Sequence, residues 1–175
     1  MNESYIILLD DLKSGVLVKS WRVSEEFFGE FGNEEVSHAD LSVDVQARRS
    51  GASVNLDADI RGTVTVPCDR CLEDVILRID TAVALKLRFG VGSADTDEED
   101  GRELVWIPEG ESEFDLSQTI YDYVCLSLPI RRCHADGECN PEVLRRMTDN
   151  PGRDDGPDSP AETNPFAALK DLFKD

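Results

Sequence analysis

Two groups of potential metal ligands stand far apart in this chain. The first is Val66-Pro67-Cys68-Asp69-Arg70-Cys71-Leu72, with two cysteines separated by two residues. The second is Cys133-His134-Ala135-Asp136-Gly137-Glu138-Cys139. A structural zinc ion takes four thiolate or imidazole ligands in a tetrahedron, and Cys68, Cys71, His134 and Cys139 supply that number. Cys133 is the alternative to His134, since adjacent residues rarely both reach one tetrahedral ion. Two other readings stay open. The pair at 68–71 could be unliganded structural thiols, or it could do redox chemistry. A thioredoxin-like pair should open a helix in a βαβ unit, whereas this one lies between two strand patterns. Cys125 falls within a helical pattern and reads as core, because a free cysteine behaves as a small hydrophobe.

The elements that must position the first pair are legible on either side of it. Val54, Leu56, Ala58, Ile60, Gly62, Val64 and Val66 occupy every second position before it. Val75, Leu77, Ile79, Thr81, Val83, Leu85, Leu87 and Phe89 do so after it. Period two gives a strand one buried and one wet face. The cysteines therefore sit at the tip of a long antiparallel hairpin, which can bend at Gly62. Its wet face carries Asn55, Asp57, Asp59, Arg61, Thr63 and Thr65.

Around the hairpin the pattern predicts a meander. Tyr5 to Leu9 suits a first strand, with Leu12, Val16 and Val18 prolonging contact with the core. Ser24 before Glu25-Glu26-Phe27-Phe28 predicts a short capped helix. Leu41, Val43, Val45 and Ala47 alternate as a strand, and Leu104 to Ile107 is another. Asp115-Leu116-Ser117-Gln118 has the form of a capping box. The helix it opens carries Leu116, Ile120, Tyr123 and Val124 at helical spacing and should cover the sheet. Asn140-Pro141 can start a further helix. The expected class is α+β: an antiparallel twisted sheet or partly closed barrel with a covering helix and a C-terminal helical arm. The expected division is a domain over 1–147, a linker over 148–164 rich in Pro, Gly, Asp and Ser, and an amphipathic arm over 165–175.

Composition narrows the function. The formal net charge is -19 over 175 residues. Such a surface repels phosphate unless basic residues are locally concentrated, so a partner selected by charge should itself be basic. Five cysteines, an odd count, and no basic leader at the N-terminus point to a reducing cytoplasm. No apolar run approaches the ~20 residues of a membrane helix. No nucleophile–base pair, Walker loop or dinucleotide fingerprint is present, which disfavours an enzyme and leaves no small-molecule substrate evident.

The order of these motifs resembles the YceD family, the large ribosomal RNA subunit accumulation proteins of bacteria and plastids. Cys68-Asp69-Arg70-Cys71-Leu72, Leu126-Ser127-Leu128-Pro129 and Asn164-Pro165-Phe166 carry the resemblance most strongly. The segment Cys133 to Pro141 resembles the form seen in Bacteroidetes-like members, where many other members have further C-x-x-C pairs. The resemblance implies a role in accumulation of large-subunit ribosomal RNA, hence in ribosome biogenesis, and no known catalysis.

Combined with the charge, this gives an expected ligand: a basic large-subunit ribosomal protein or pre-ribosomal RNA. The candidate contacts are Arg70 between the cysteines, the acidic run Asp97, Glu98, Glu99 and Asp100, and the arm residues Phe166, Leu169 and Phe173. Arg48-Arg49, Arg131-Arg132 and Arg145-Arg146 are the basic pairs that RNA could use. The non-ribosomal alternative is a zinc- or thiol-dependent regulatory or redox module.

Overall fold

The computed structural model describes residues 5–92 and 98–149, which fall in two units divided between Cys139 and Asn140. The first unit begins with β1 (Ile6–Leu8), a 3-10 turn over Leu9–Ser14, β2 (Val16–Ser24) and α1 (Glu25–Glu30). It continues with β3 (His38–Ser50), β4 (Ser53–Pro67), β5 (Asp74–Phe89), β6 (Glu98–Glu99), β7 (Arg102–Ile107), β8 (Glu113–Asp115) and α2 (Ser117–Ser127). In the second unit the described residues form α3 (Pro141–Asp149), where Asn140 Oδ1 accepts the Glu142 N–H at 2.9 Å as the sequence predicts. Among the described residues no helix is long and apolar enough to cross a membrane. The arm residues Phe166, Leu169 and Phe173, and Asp97 of the acidic run, lie outside the described residues.

The class is α+β, and of the two sheet forms expected the open one is found. Six strands run in the order β2-β3-β4-β5-β7-β6, and β1 pairs separately with β8. Every pairing is antiparallel except that of β5 with β7. The predicted alternation decides which face is buried. In register, Val45 lies opposite Ala58 and Ala58 opposite Val83, and all three are buried. Leu41, Leu56, Ile60, Ile79, Leu85 and Leu87 share that face and are also buried. Each such side chain contributes about 1.5–3 kcal/mol relative to exposure. α2 adds Ile120 and Val124, with Leu116 just before it, while α1 adds Phe27 and Phe28. Tyr121 of α2 stacks on Phe31 at 4.4 Å, which ties the two helices together.

At Gly62 the backbone has a φ of +149°, and a Cβ there would run into the carbonyl of Asp40 on β3. Close strand approach is what glycine permits at this position.

Three local expectations need correction. Val16 and Val18 do not join the core: β2 turns them outward, 50% and 64% exposed. α1 forms after Ser24, but the Ser24 side chain makes no capping bond. α2 starts at Ser117, whose N–H and Oγ both donate to Asp115 Oδ1, whereas Gln118 donates along the helix to Asp122.

Candidate metal centre

The hairpin tip is shaped by its own backbone. Pro67 is the last paired residue of β4, a position where its missing N–H costs little. Beyond it the Cys68 N–H donates to Glu73 O at 2.8 Å, and the Leu72 N–H donates to Cys68 O at 2.9 Å. Leu72 closes the turn in the left-handed region at φ +61°, its side chain 77% exposed. This tight turn carries Cys68 and Cys71 inward, and both are buried.

The second ligand group is docked on the tip by backbone bonds. The Asp69 N–H donates to Arg132 O at 2.8 Å, and the Arg132 N–H returns to Asp69 Oδ2 at 2.7 Å. The Arg132 guanidinium then grips Glu35 Oε2 at 2.6 Å. Arg70 donates to His134 O at 3.2 Å and faces Asp136 at 3.6 Å. Gly137, at φ +89°, turns the chain back so that Cys139 returns beside His134. The Glu138 N–H donating to Ala135 O closes that turn.

The result is one cluster. The ligand atoms of Cys68, Cys71, His134 and Cys139 all lie within 4.8 Å of one another. Cys68 Sγ is 3.9 Å from Cys139 Sγ, and His134 Nδ1 is 3.4 Å from Cys71 Sγ and 3.9 Å from Cys139 Sγ. A tetrahedron with Zn–S of about 2.3 Å and Zn–N of about 2.0–2.1 Å has S–S edges of about 3.8 Å and S–N edges of about 3.6 Å. The three measured edges are close to these values, and the cluster as a whole, within 4.8 Å, is somewhat wider, so the residues present fit a zinc ion after a slight contraction. The other imidazole nitrogen agrees. His134 Nε2 lies 3.0 Å from Asp74 O, so it carries the proton and leaves the Nδ1 lone pair towards the sulfurs.

Electrostatics points the same way. Burial pushes the Cys68 thiol up, but the N–H groups of Cys71, Arg70 and His134 and the His134 ring outweigh it and bring it to about 5. Burial, with Cys68 and Cys71 close by, pushes the Cys139 thiol up to about 11. The bond to Cys68 raises His134. Three sulfurs this close cannot all ionise comfortably unless a cation offsets their repulsion, and a divalent ion would do so.

Cys133 is not part of the cluster. Its sulfur lies by the Arg70 guanidinium and is the foremost cause of that group's raised pKa. Cys125 is half-buried in α2, where burial raises its thiol, and it too stands outside. The geometry therefore selects His134 over Cys133, a choice that spacing alone left open. The Glu35–Arg132–Asp69 clamp and the carbonyl of Asp74 escaped the sequence reading, because both depend on where the 132–134 segment docks.

The acidic run lies elsewhere. Glu98 is exposed, while Glu99 and Asp100 bond to Lys86 Nζ at 2.8 and 2.7 Å.

A protein-family model described as large ribosomal RNA subunit accumulation protein YceD matches residues 56–173, more than half of the chain and both limbs of the cluster. No curated protein and no solved structure shows significant similarity to the chain.

Proposed function

The chain belongs to the YceD family of large ribosomal RNA subunit accumulation proteins, and from that membership we propose that it serves large-subunit assembly by binding, without chemistry of its own. Its direct partner in this reading is a basic large-subunit ribosomal protein met in the cytoplasm. The observation that carries the choice is charge: -19 over the chain. Glu109 and Glu111 are exposed between β7 and β8, Glu113 is exposed at the start of β8, and Glu26, Glu30 and Glu34 are exposed on and after α1. These acids offer a lysine- and arginine-rich chain more than the 98–100 run does, because Glu99 and Asp100 already bond to Lys86.

The cluster of Cys68, Cys71, His134 and Cys139 would hold one structural zinc in this reading. The ion would fasten the 133–139 segment to the hairpin tip and supply no reaction. A regulatory or redox thiol is less well supported, because Cys68, Cys71 and Cys139 are all buried. An oxidant attacks a sulfur it can reach.

Capture from lysate on the full-length tagged chain, with and without nuclease, tests the partner class. Basic large-subunit proteins should stay bound after nuclease. Their complete loss on nuclease treatment would show RNA-mediated capture and overturn the assignment.

A further inference from the structure

At the end of the sheet away from the hairpin tip, strand register lines up two rows of side chains on the outer face. One row runs Arg48, Asn55, Lys86 and Leu104 across β3, β4, β5 and β7. The next runs Ser53, Arg88 and Trp106. A lysine on the outer face of a strand ordinarily carries its ammonium into water. The Lys86 side chain is instead only 12% exposed, because the turn after β6 lies over it. Glu99 Oε1 sits 2.8 Å from Lys86 Nζ and 3.1 Å from Arg88 Nη2, and Asp100 Oδ2 sits 2.7 Å from Lys86 Nζ. Asp100 reaches this position with a φ of +57°, a backbone region that few non-glycine residues adopt.

Two further features belong to the same rows. Asn55 Oδ1, between Arg48 and Lys86 in register, is buried with no hydrogen-bond partner among the described residues. Trp106 is 37% exposed, with the Arg88 guanidinium 5.8 Å from its ring. Gly92 packs so tightly on that indole that a Cβ there would overlap it, which holds the ring in place.

We propose that Lys86 and Arg88, with Arg48 beside them, form a phosphate track for single-stranded RNA, and that Glu99 and Asp100 occupy this track as an internal stand-in for phosphate oxygens. The carboxylates fill the places that phosphate oxygens take on a pair of cations. A strand rise of about 3.3 Å per residue sets the Cα atoms of Lys86 and Arg88 about 6.6 Å apart, so the two heads, which here share Glu99 Oε1, can part onto neighbouring phosphates once the carboxylate leaves. The half-open indole beside two cations suits a base and not a bare oxyanion. The unused Asn55 oxygen needs a donor. Phosphate has none to give, whereas a ribose 2′-hydroxyl does, which favours RNA over DNA. The site is separate from the acids assigned to the basic partner, so either assignment can fail alone.

Fluorescence anisotropy with a labelled unstructured RNA oligomer on the full chain tests this. Glu99→Gln/Asp100→Asn should bind about tenfold tighter than the parent, since the competing occupant is gone. Adding Lys86→Gln/Arg88→Gln should erase the gain, and the log–log salt slope of the gain should be about -1.4 for two phosphates. Inorganic phosphate in large excess should compete poorly, and the DNA oligomer of the same sequence should bind more weakly than RNA. An unchanged affinity in the acid variant, or a gain that survives loss of Lys86 and Arg88, would overturn the proposal. Competition by inorganic phosphate as strong as by RNA would assign the site to a simple oxyanion, and equal DNA binding would remove RNA. Tighter binding of a basic ribosomal protein's peptide to the parent than to the acid variant, with no RNA gain, would also overturn it. A measurement on the unaltered chain covers failure of the variant to fold: saturating RNA should speed amide exchange at 98–103. RNA binding that leaves exchange there unchanged would refute the displacement.

Discussion

Removing metal from the Cys68–Cys71–His134–Cys139 centre should lower the stability of the whole first unit and not merely loosen a loop. The reason is topological. The centre joins residues 68–71 to residues 134–139, and β5, β7, β8 and α2 lie between those limbs. None of these elements can leave the core without straining or breaking the cluster, so binding energy at the centre counts as folding energy. With free zinc at about 1,000 times its dissociation constant, the contribution is about 4 kcal/mol. For a domain of this size that corresponds to a fall in Tm of roughly 8–16 °C. The assay is thermal unfolding by circular dichroism with and without a chelator, on protein purified under reducing conditions and analysed for metal. About one zinc per chain is expected. Cys139→Ser should lose the ion and reproduce the chelated Tm. Cys133→Ser should keep both the ion and the Tm, because its sulfur faces Arg70 and not the cluster. Zinc-loaded protein whose Tm is unchanged when the chelator removes the ion would refute the reasoning, and so would a Cys133→Ser variant that loses zinc.

Leu72→Gly should raise stability by about 0.5–1 kcal/mol, read from urea unfolding. The residue sits at φ +61° with 77% of its side chain exposed, so glycine relieves strain and forfeits little packing. Gly62→Ala should cost about 3 kcal/mol or more, since the new Cβ meets the Asp40 carbonyl and the φ of +149° suits glycine alone. Retention of parent stability by that variant would contradict the described contact with β3. The segment that lies over Lys86 through Glu99 and Asp100, an acidic strap, should also respond to acid. Lys86, first by its hydrogen bond and then by its charge, holds the Asp100 carboxyl below 3.8. A carboxylate lowered on folding stabilises above its unfolded pKa and loses that contribution as pH falls through the folded one. The Asp100 contribution to Trp106 fluorescence, in a Trp21→Phe background, should therefore be lost only at a pH below the ordinary aspartate range.

The hairpin and both ligand groups were legible because each obeys a local rule: alternation for the strands, ligand chemistry for the cysteines and histidine. β2 was not, and its residues show why. Val16 and Val18 are apolar on the outer face, while Lys19 occupies an inner-facing position, where its ammonium is satisfied by Ile6 O at 3.0 Å. The pattern on this edge strand runs against the rule, so it reads as a loose extension of the core. Leu104 to Ile107 read as a strand, but its parallel place beside β5 is a non-local choice that no window of sequence contains. The strap over Lys86 inherits the same difficulty: β6 is paired in the sheet with β7, and its Glu99 meets β5 through side chains alone. Spacing could not decide between Cys133 and His134 either, since the decision rests on where Arg132 docks against Asp69.

The length of the hairpin gives these separate features a common cause. β4 and β5 have 15 and 16 residues, about three times an ordinary strand. β3 supports β4 only as far as the pair His38–Thr65, so Val66 and Pro67 have β5 as their one neighbour in the sheet. A two-stranded tip of this kind frays. The metal centre lies where that fraying would begin, and the acidic strap covers the opposite end. From Cys68 to Asn55, the row-mate of Lys86, the path along β4 is roughly 40 Å. Sites so far apart with no shared partner should contribute independently, within about 0.3–0.5 kcal/mol. The loss of stability in Cys139→Ser should thus be the same whether or not Glu99→Gln/Asp100→Asn is present, and the RNA gain of the strap variant should survive loss of the metal. A coupling above about 1 kcal/mol in that double-mutant cycle would mean that the hairpin transmits strain from one end to the other, contrary to two sites held separately by one rigid pair of strands.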